Sequence, residues 1–479
     1  MQTMQPMGGD DWTLGFRTLE TEVSGRACPV EGDVPAEIAG TLHRIGPGRH
    51  DVYGARNRHW FDGDGMVHAL RIEDGRVTYA NRFVATAGKA VEDAAQRRIY
   101  AGFGTRRSGS VLSRFLHRNE HKNPANTNVL TFGGKLYALC EGGRPHRLDP
   151  DTLATMGEDD LGGVLAASDL YSAHPKVDPF TGELWNFGAS YGKELGLSLY
   201  CTKADGTTRR VTTVKCPFLA MVHDFAITAT KAIFILAPCA LPRLPLGIML
   251  GQRAFGESLR YTPELGAHIA VVDRASGEVR WFAGDPFMFF HTVNAWDDGA
   301  DTVLDLCAYA DGSVLRSFVE VMAGVTPTLA RAWPERIVLK KDGTMKRTRL
   351  SAVSLEFPRV DERDPFRPAK VAYGVTWPES SSFLSTPAAI DLETGHAELA
   401  PLSAGEFAGE LVPVPKRGGT GERDVWLLTL VLDATKRQSE LRVYDGANIS
   451  ALPVAKARLP HVVPFGFHGN FTPSAPLLS

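Results

Sequence analysis

The sequence predicts an all-β fold of the propeller kind, and three observations carry that prediction. Hairpin signals recur from one end of the chain to the other, no linker or composition break divides its 479 residues, and two long segments interrupt the hairpin rhythm. Hydrophobic residues at 43% and charged residues at 22% suit a folded protein with a large core and exclude a disordered or fibrous chain.

The hairpin signals come in order: EDGRVTY (Glu73–Tyr79), DPFTGELW (Asp178–Trp185), DRASGEVRW (Asp273–Trp281), KDGTMKRT (Lys341–Thr348) and DLETGHAEL (Asp391–Leu399). Each reads strand, turn, strand. Asp or Pro opens the turn by side-chain hydrogen bonding or a preset φ, and Gly supplies the left-handed residue that hairpin geometry requires. So many such units point to a propeller, where radial repetition limits exposed edges and leaves an axial channel; a sandwich would need fewer strands. No WD-like or kelch-like signature recurs at a fixed period, so the pattern carries no blade count. Without a Pro/Ser-rich linker or a composition shift, one domain over residues 1–479 is expected.

The segments that break the rhythm are Val91–Lys122, with mixed helical and polar content, and Cys239–Leu265, with Pro, Gly and Met among apolar residues. They are expected to cap one end of the fold, because long loops of this kind build binding sites. Net charge is −3 and no Lys/Arg run is long enough to track a phosphate backbone, so nucleic acid is excluded as a partner. The opening MQTMQPMGGDDWTLGF lacks a basic n-region and an apolar stretch, which makes the cytoplasm the expected compartment. Cys28, Cys140, Cys201, Cys216, Cys239 and Cys307 show no CxxC spacing and read as buried reduced thiols. The most apolar stretch, Ala232–Leu250, is broken by three prolines and Arg243 and cannot be one spanning helix. Two readings of it stay open: a strand and loop packed on the core, or an apolar surface that makes peripheral membrane contact.

Of fourteen histidines, His50, His59, His117, His121 and His396 lie among polar or charged neighbours and read as surface residues. Four differ: His174 in SAHPK, His223 in MVHDF, His291 in FFHTV and His468 in GFHGN sit in apolar, strand-like context, far apart in sequence. A buried imidazole needs a partner for each ring nitrogen. Any one of them alone is explained by a backbone partner. Four together suggest a metal, because a propeller brings the inner strands of successive blades to one axis. Imidazole suits Fe, Zn, Cu and Ni, and ligand type does not choose among them.

Longer stretches bring a resemblance. RIGPGRH (Arg44–His50) and HWFDGDGMVHAL (His59–Leu70), then NPANTNVL, LYALCEGGRPHRLDPDTL, SAHPKVDPFTGELWNFG, MVHDFAIT, FFHTVNAWDD, LEFPRV, GELVPVP and VVPFGFHGNF, cover nearly the whole chain. In this order they resemble the carotenoid cleavage oxygenase family, which includes apocarotenoid oxygenases, stilbene oxygenases and the retinoid isomerase of the eye. Ile45 stands where that family usually has Asn.

The resemblance implies a seven-bladed propeller with a loop and helix cap over an iron-bearing axial site. It implies that His174, His223, His291 and His468 hold one Fe(II), and that Glu141, Glu356 and Glu410 accept hydrogen bonds from His223, His291 and His468 in some pairing, leaving His174 without such a partner. Buried carboxylates one shell out offset the ion's charge without occupying coordination sites. Thr127 aligns with a threonine whose methyl shields one vacant iron position, and Phe61, Tyr100, Cys140 and Phe290 would line the substrate tunnel. The implied reaction cuts a carbon–carbon double bond with O2 to give two carbonyl products, with no organic cofactor.

Stilbene and phenylpropene cleavers of the family resemble one another in having Lys directly before the first of these glutamates, where this chain has Cys140. The resemblance therefore favours a long polyene, an apocarotenoid or carotenoid, over a phenolic stilbene or phenylpropene cut by the same iron. A calcium-dependent propeller hydrolase and a non-catalytic binding propeller are the readings from other classes. A monomer is expected.

Overall fold

In the computed structural model, which describes residues 11–191, 195–328, 330–378 and 383–474, seven multi-stranded antiparallel sheets succeed one another around an axis. All five hairpin signals fold as hairpins; for example, Ala267–Asp273 pairs with Val279–Gly284 and Thr386–Asp391 with Ala397–Leu399. The turn chemistry is as expected. Asp178, Asp273 and Asp391 each accept two backbone N–H groups from the following turn. Gly182, Gly277 and Gly395 supply φ of 68°, 77° and 75°, a region in which a Cβ is strained.

The strands nearest the axis are Gly469–Pro473, Asn128–Phe132, Lys176–Asp178, Phe225–Ile227, Met288–Asp298, Glu356–Arg359 and Val412–Pro415. Several of these touch their neighbours in the next sheet. The ring is closed by both chain ends. Gly469–Pro473 pairs with Gly40–Arg49, and Val30–Gly32 pairs with Ala455–Arg458 on the sheet before it. At that closure Gly46 faces Gly466, where a Cβ would lie 2.3 Å from the Gly466 Cα, so the approach requires glycine.

Each sheet packs against the next on both faces, which explains why inner and middle strands are continuous apolar runs rather than alternating ones. Ala232–Leu236 and Val371–Thr376 are buried throughout. One core cluster joins Leu42, Leu70 and Tyr79 to Leu428, Leu441 and Val443 across the closure. Each fully buried aliphatic or aromatic side chain there contributes about 1.5–3 kcal/mol.

Residues of both long segments line one cavity. The first carries helices Ala87–Ala95 and Val111–Leu116, the second Leu246–Met249 and Phe255–Ser258. A third segment, not anticipated from the sequence, carries the helix Val314–Met322, whose Phe318 packs on Phe61 at 4.9 Å between ring centroids.

The structure corrects one expectation and divides another. His50 and His59 are buried, 0% and 3% exposed, despite their polar neighbours in sequence, because His50 packs by Phe16 and His59 among Phe61, Phe103 and Phe318. His117, His121 and His396 are exposed as expected. The Ala232–Leu250 stretch divides between its two readings. Ala232–Leu241 is buried strand and loop, whereas Leu244, Leu246, Met249 and Leu250 are exposed. Among the described residues no helix is long and apolar enough to cross a membrane.

Candidate metal centre

The residues singled out by sequence meet because they occupy equivalent places in successive blades. His174, His223 and His468 immediately precede inner strands, at Lys176, Phe225 and Gly469, while Glu356 begins one and His291 lies near the start of another. Glu410 sits in the gap between Glu406–Ala408 and Val412–Pro415. All therefore face the same end of the axis.

One ligand atom from each of the four histidines falls within 4.8 Å of the others. Nε2 of His174 is 2.9 Å from Nε2 of His223, and Nε2 of His291 is 3.2 Å from that of His468. The opposite ring nitrogens meet carboxylates and settle the pairing. His223 Nδ1 lies 2.5 Å from Glu141 Oε1, His291 Nδ1 2.6 Å from Glu356 Oε2, and His468 Nδ1 2.9 Å from Glu410 Oε1. A carboxylate accepts, so His291 and His468 carry the proton on Nδ1 and turn the Nε2 lone pair inward, while Glu141 lies in ion-pair contact with the same nitrogen of His223. Among the described residues His174 has no such bond; Asp224 is 4.0 Å from its Nδ1.

Inward lone pairs about 3 Å apart repel one another unless a cation lies among them. That separation is close to the roughly 3 Å between adjacent nitrogens bound at ~2.1 Å to one first-row ion. The donor set thus fits a metal with four neutral imidazole ligands. Electrostatics agree for two of them. Burial holds His174 well below the ordinary imidazole range, helped by the three facing rings, and holds His468 down at about 4 against the pull of Glu410. At His291 burial is outweighed by Glu356, which raises it.

The three carboxylates are themselves held. Burial acts to raise each, but the facing imidazole and hydrogen bonds bring all three below the usual carboxylate range. Glu356 accepts from the Tyr309 hydroxyl at 2.6 Å and from the Phe357 N–H. Glu410 accepts from Arg44, Arg359 and the Gly469 N–H. Beside His174, Asp224 is bound by Lys176 Nζ at 2.8 Å and by Thr292. Sequence reasoning passed over Tyr309, Arg44, Arg359, Asp224 and Lys176. Four of them lie inside or beside the quoted motifs, but their partners are distant in sequence.

A cavity of about 900 Å³ runs from the cap to this cluster. His223, His291, His468 and Thr127 line it, and His174 does not, so His174 approaches the cluster from the other side. Phe61, Tyr100, Cys140 and Phe290 also line it. Phe290 packs 5.3 Å from the His223 ring, and Phe61 contacts Phe103, Phe318 and Phe467. Burial pushes the Cys140 thiol up to about 12, with the Glu141 charge adding, so it is neutral at pH 7. Thr127 Oγ1 donates to Asn126 Oδ1 at 3.1 Å.

A family model described as "Retinal pigment epithelial membrane protein" matches residues 16–473. The chain is 34% identical over 472 residues to apocarotenoid-15,15'-oxygenase of Synechocystis sp., covering 96% of both chains. It is 30% identical to isoeugenol monooxygenase of Pseudomonas nitroreducens, covering 93% of this chain and 94% of that one. Among solved structures, a cobalt-substituted Synechocystis apocarotenoid oxygenase superposes with a TM-score of 0.90 at 33% identity, covering 97% of this chain and 98% of that one. With both sequence and fold matched over nearly the full chain, this protein belongs to the carotenoid cleavage oxygenase family.

Proposed function

We propose that this protein is an Fe(II)-dependent dioxygenase that cleaves a carbon–carbon double bond of an apocarotenoid or carotenoid with O2 to give two aldehyde or ketone products. The observation that carries the reading is an aromatic-walled cavity of about 900 Å³ that ends on three of four convergent imidazoles. His174, His223, His291 and His468 would hold the iron, which supplies O2 activation beside an electron-rich alkene.

The chain's own residues do the rest. Glu356 and Glu410 fix the Nδ1–H tautomers of His291 and His468, and together with Glu141 beside His223 they offset the ion's charge from one shell out. The Thr127 methyl would shield one open position and leave another to O2. Phe61 and Phe290 hold the flat polyene and exclude water, and the double bond placed over the cluster decides the products. The phenolic branch is disfavoured, because the neutral thiol of Cys140 stands where a stilbene cleaver presents a cation.

The cap gives a second part of the reading. Val111, Leu112 and Leu116 on one cap helix, Leu246 and Met249 on another, and Leu250 just after it are exposed. The two helices are joined through Gln252, which bonds Arg114 and Val111. This apolar face beside the cavity suits peripheral membrane contact, from which a lipid-like polyene enters. We take the chain to act as a single domain and a monomer.

The test is bound-metal analysis followed by incubation with apocarotenals and with hydroxystilbenes, identifying aldehydes by mass. About one iron per chain with cleavage of the apocarotenal supports the reading. Calcium in place of iron, or cleavage of the stilbene alone, overturns it.

A further inference from the structure

Most cations that line the cavity are matched by neighbours. Lys122 pairs with Asp64 and Glu92, Arg106 with Glu257, and Arg107 with Glu120. Arg98 is different. It lines the cavity and is partly buried, yet among the described residues it forms neither a hydrogen bond nor an ion pair, and its Nε and Nη1 are shielded without a partner.

The two acids that act on it electrostatically, Asp62 and Glu92, are engaged elsewhere. Asp62 accepts from the Gly104 N–H and the Thr105 hydroxyl. Glu92 accepts from the N–H groups of Ile99 and Tyr100 and binds Lys122. A guanidinium withdrawn from water without its hydrogen bonds is costly, and of the three nitrogens of Arg98 only Nη2 is left accessible at the cavity. A carboxylate terminus offers that nitrogen both an acceptor and the opposite charge, which a neutral oxygen terminus does not.

We propose that Arg98 is a specificity-determining residue that binds the carboxylate terminus of a linear polyene. The proposal rests on the polyene-cleavage reading above. Arg98 belongs to the cap, and none of Asp62, Glu92 and Arg58, its electrostatic neighbours, is part of the histidine cluster. A chain anchored by one end at Arg98 and threaded past Phe61 and Phe290 has a fixed register over the four imidazoles. The span from Arg98 to the cluster then selects which double bond is cut.

Two measurements test this. In the first, a saturated long-chain fatty acid and the alkane of the same length are added separately to wild-type protein, Arg98→Met and Arg98→Lys, and the unfolding temperature is followed. The acid is expected to stabilise wild type, Arg98→Lys less so and Arg98→Met not at all; equal shifts in all three overturn the proposal. In the second, polyenes of one length ending in a carboxylate, an aldehyde or a methyl group are compared as substrates. Arg98→Met is expected to raise KM for the carboxylate relative to the methyl-ended polyene by about 10- to 100-fold, with loss of a single cleavage position. An equal change for all three termini overturns it. Failure of every polyene to react sinks the polyene-cleavage reading, while the fatty-acid measurement still decides Arg98.

Discussion

His291 and Glu356 meet at 2.6 Å through Nδ1 and Oε2, and Tyr309 closes the far side of the same carboxylate at 2.6 Å. Both carboxylate oxygens are used, one to aim an imidazole and one to be aimed. Glu356→Gln keeps the shape but removes the charge that offsets the ion and supports the Nδ1–H tautomer. It is expected to weaken metal binding by about 10- to 100-fold without emptying the site. Titration against a chelator of known affinity measures this, and an unchanged constant would show that the cluster does not depend on Glu356. Tyr309→Phe leaves Glu356 Oε1 without its partner and is expected to cost about 1–3 kcal/mol of stability.

How much of this was legible in the sequence varies from residue to residue. Hairpins were readable because Asp and Gly act locally, within a few residues of where they stand. Blade number was not, because sheets such as the one closed by Gly469–Pro473 are completed by strands from opposite chain ends. The four histidines could be suspected from apolar context, but only the family resemblance joined them. Arg44 and Glu410 lie 366 residues apart, and each read alone is an ordinary surface charge. His50 and His59 failed in the opposite sense. His50 packs by Phe16, a residue far from it in sequence, and His59 packs on Phe61 two residues on and on Phe103 and Phe318 from other parts of the chain.

His174 stands alone among the four in lacking a carboxylate bond and in lying off the cavity wall. Set off the cavity wall, its side chain can be removed without reshaping that wall, so its removal isolates the coordination role. His174→Ala is expected to reduce bound metal to background while the fold survives, measured by metal analysis and thermal unfolding on the same sample. Full metal content would remove it from the ligand set.

The exposed face of the cap predicts a separable defect. Leu112, Leu116 and Leu246 are 66%, 62% and 54% exposed, so charge placed there disturbs no core packing. The triple variant Leu112→Asp, Leu116→Asp and Leu246→Asp is expected to lose co-sedimentation with phospholipid vesicles, since each leucine inserted into a bilayer contributes about 1–2 kcal/mol. Turnover of detergent-dispersed substrate is expected to persist. Co-sedimentation equal to that of wild type would remove this face from the membrane reading.

His59 makes a pH prediction whose sign can be worked out. Burial lowers its pKa to about 3, whereas a free imidazole titrates near 6.5. Between those values the unfolded chain binds a proton that the folded chain refuses. Stability on this account is full above about pH 6.5 and falls as pH drops towards 3, by on the order of 4 kcal/mol across the window. His59 also caps the short turn Trp60–Asp62, its Nδ1 accepting from the Phe61 N–H. His59→Asn keeps an acceptor for that N–H but cannot take the proton. The variant is expected to be less stable at pH 7, because it fills less of the space among Phe61, Phe103 and Phe318, yet to lose less stability than wild type between pH 7 and pH 4. The slope, not the level, is the readout. Parallel stability curves for the two proteins would mean that the folded state accepts the proton at His59 without penalty.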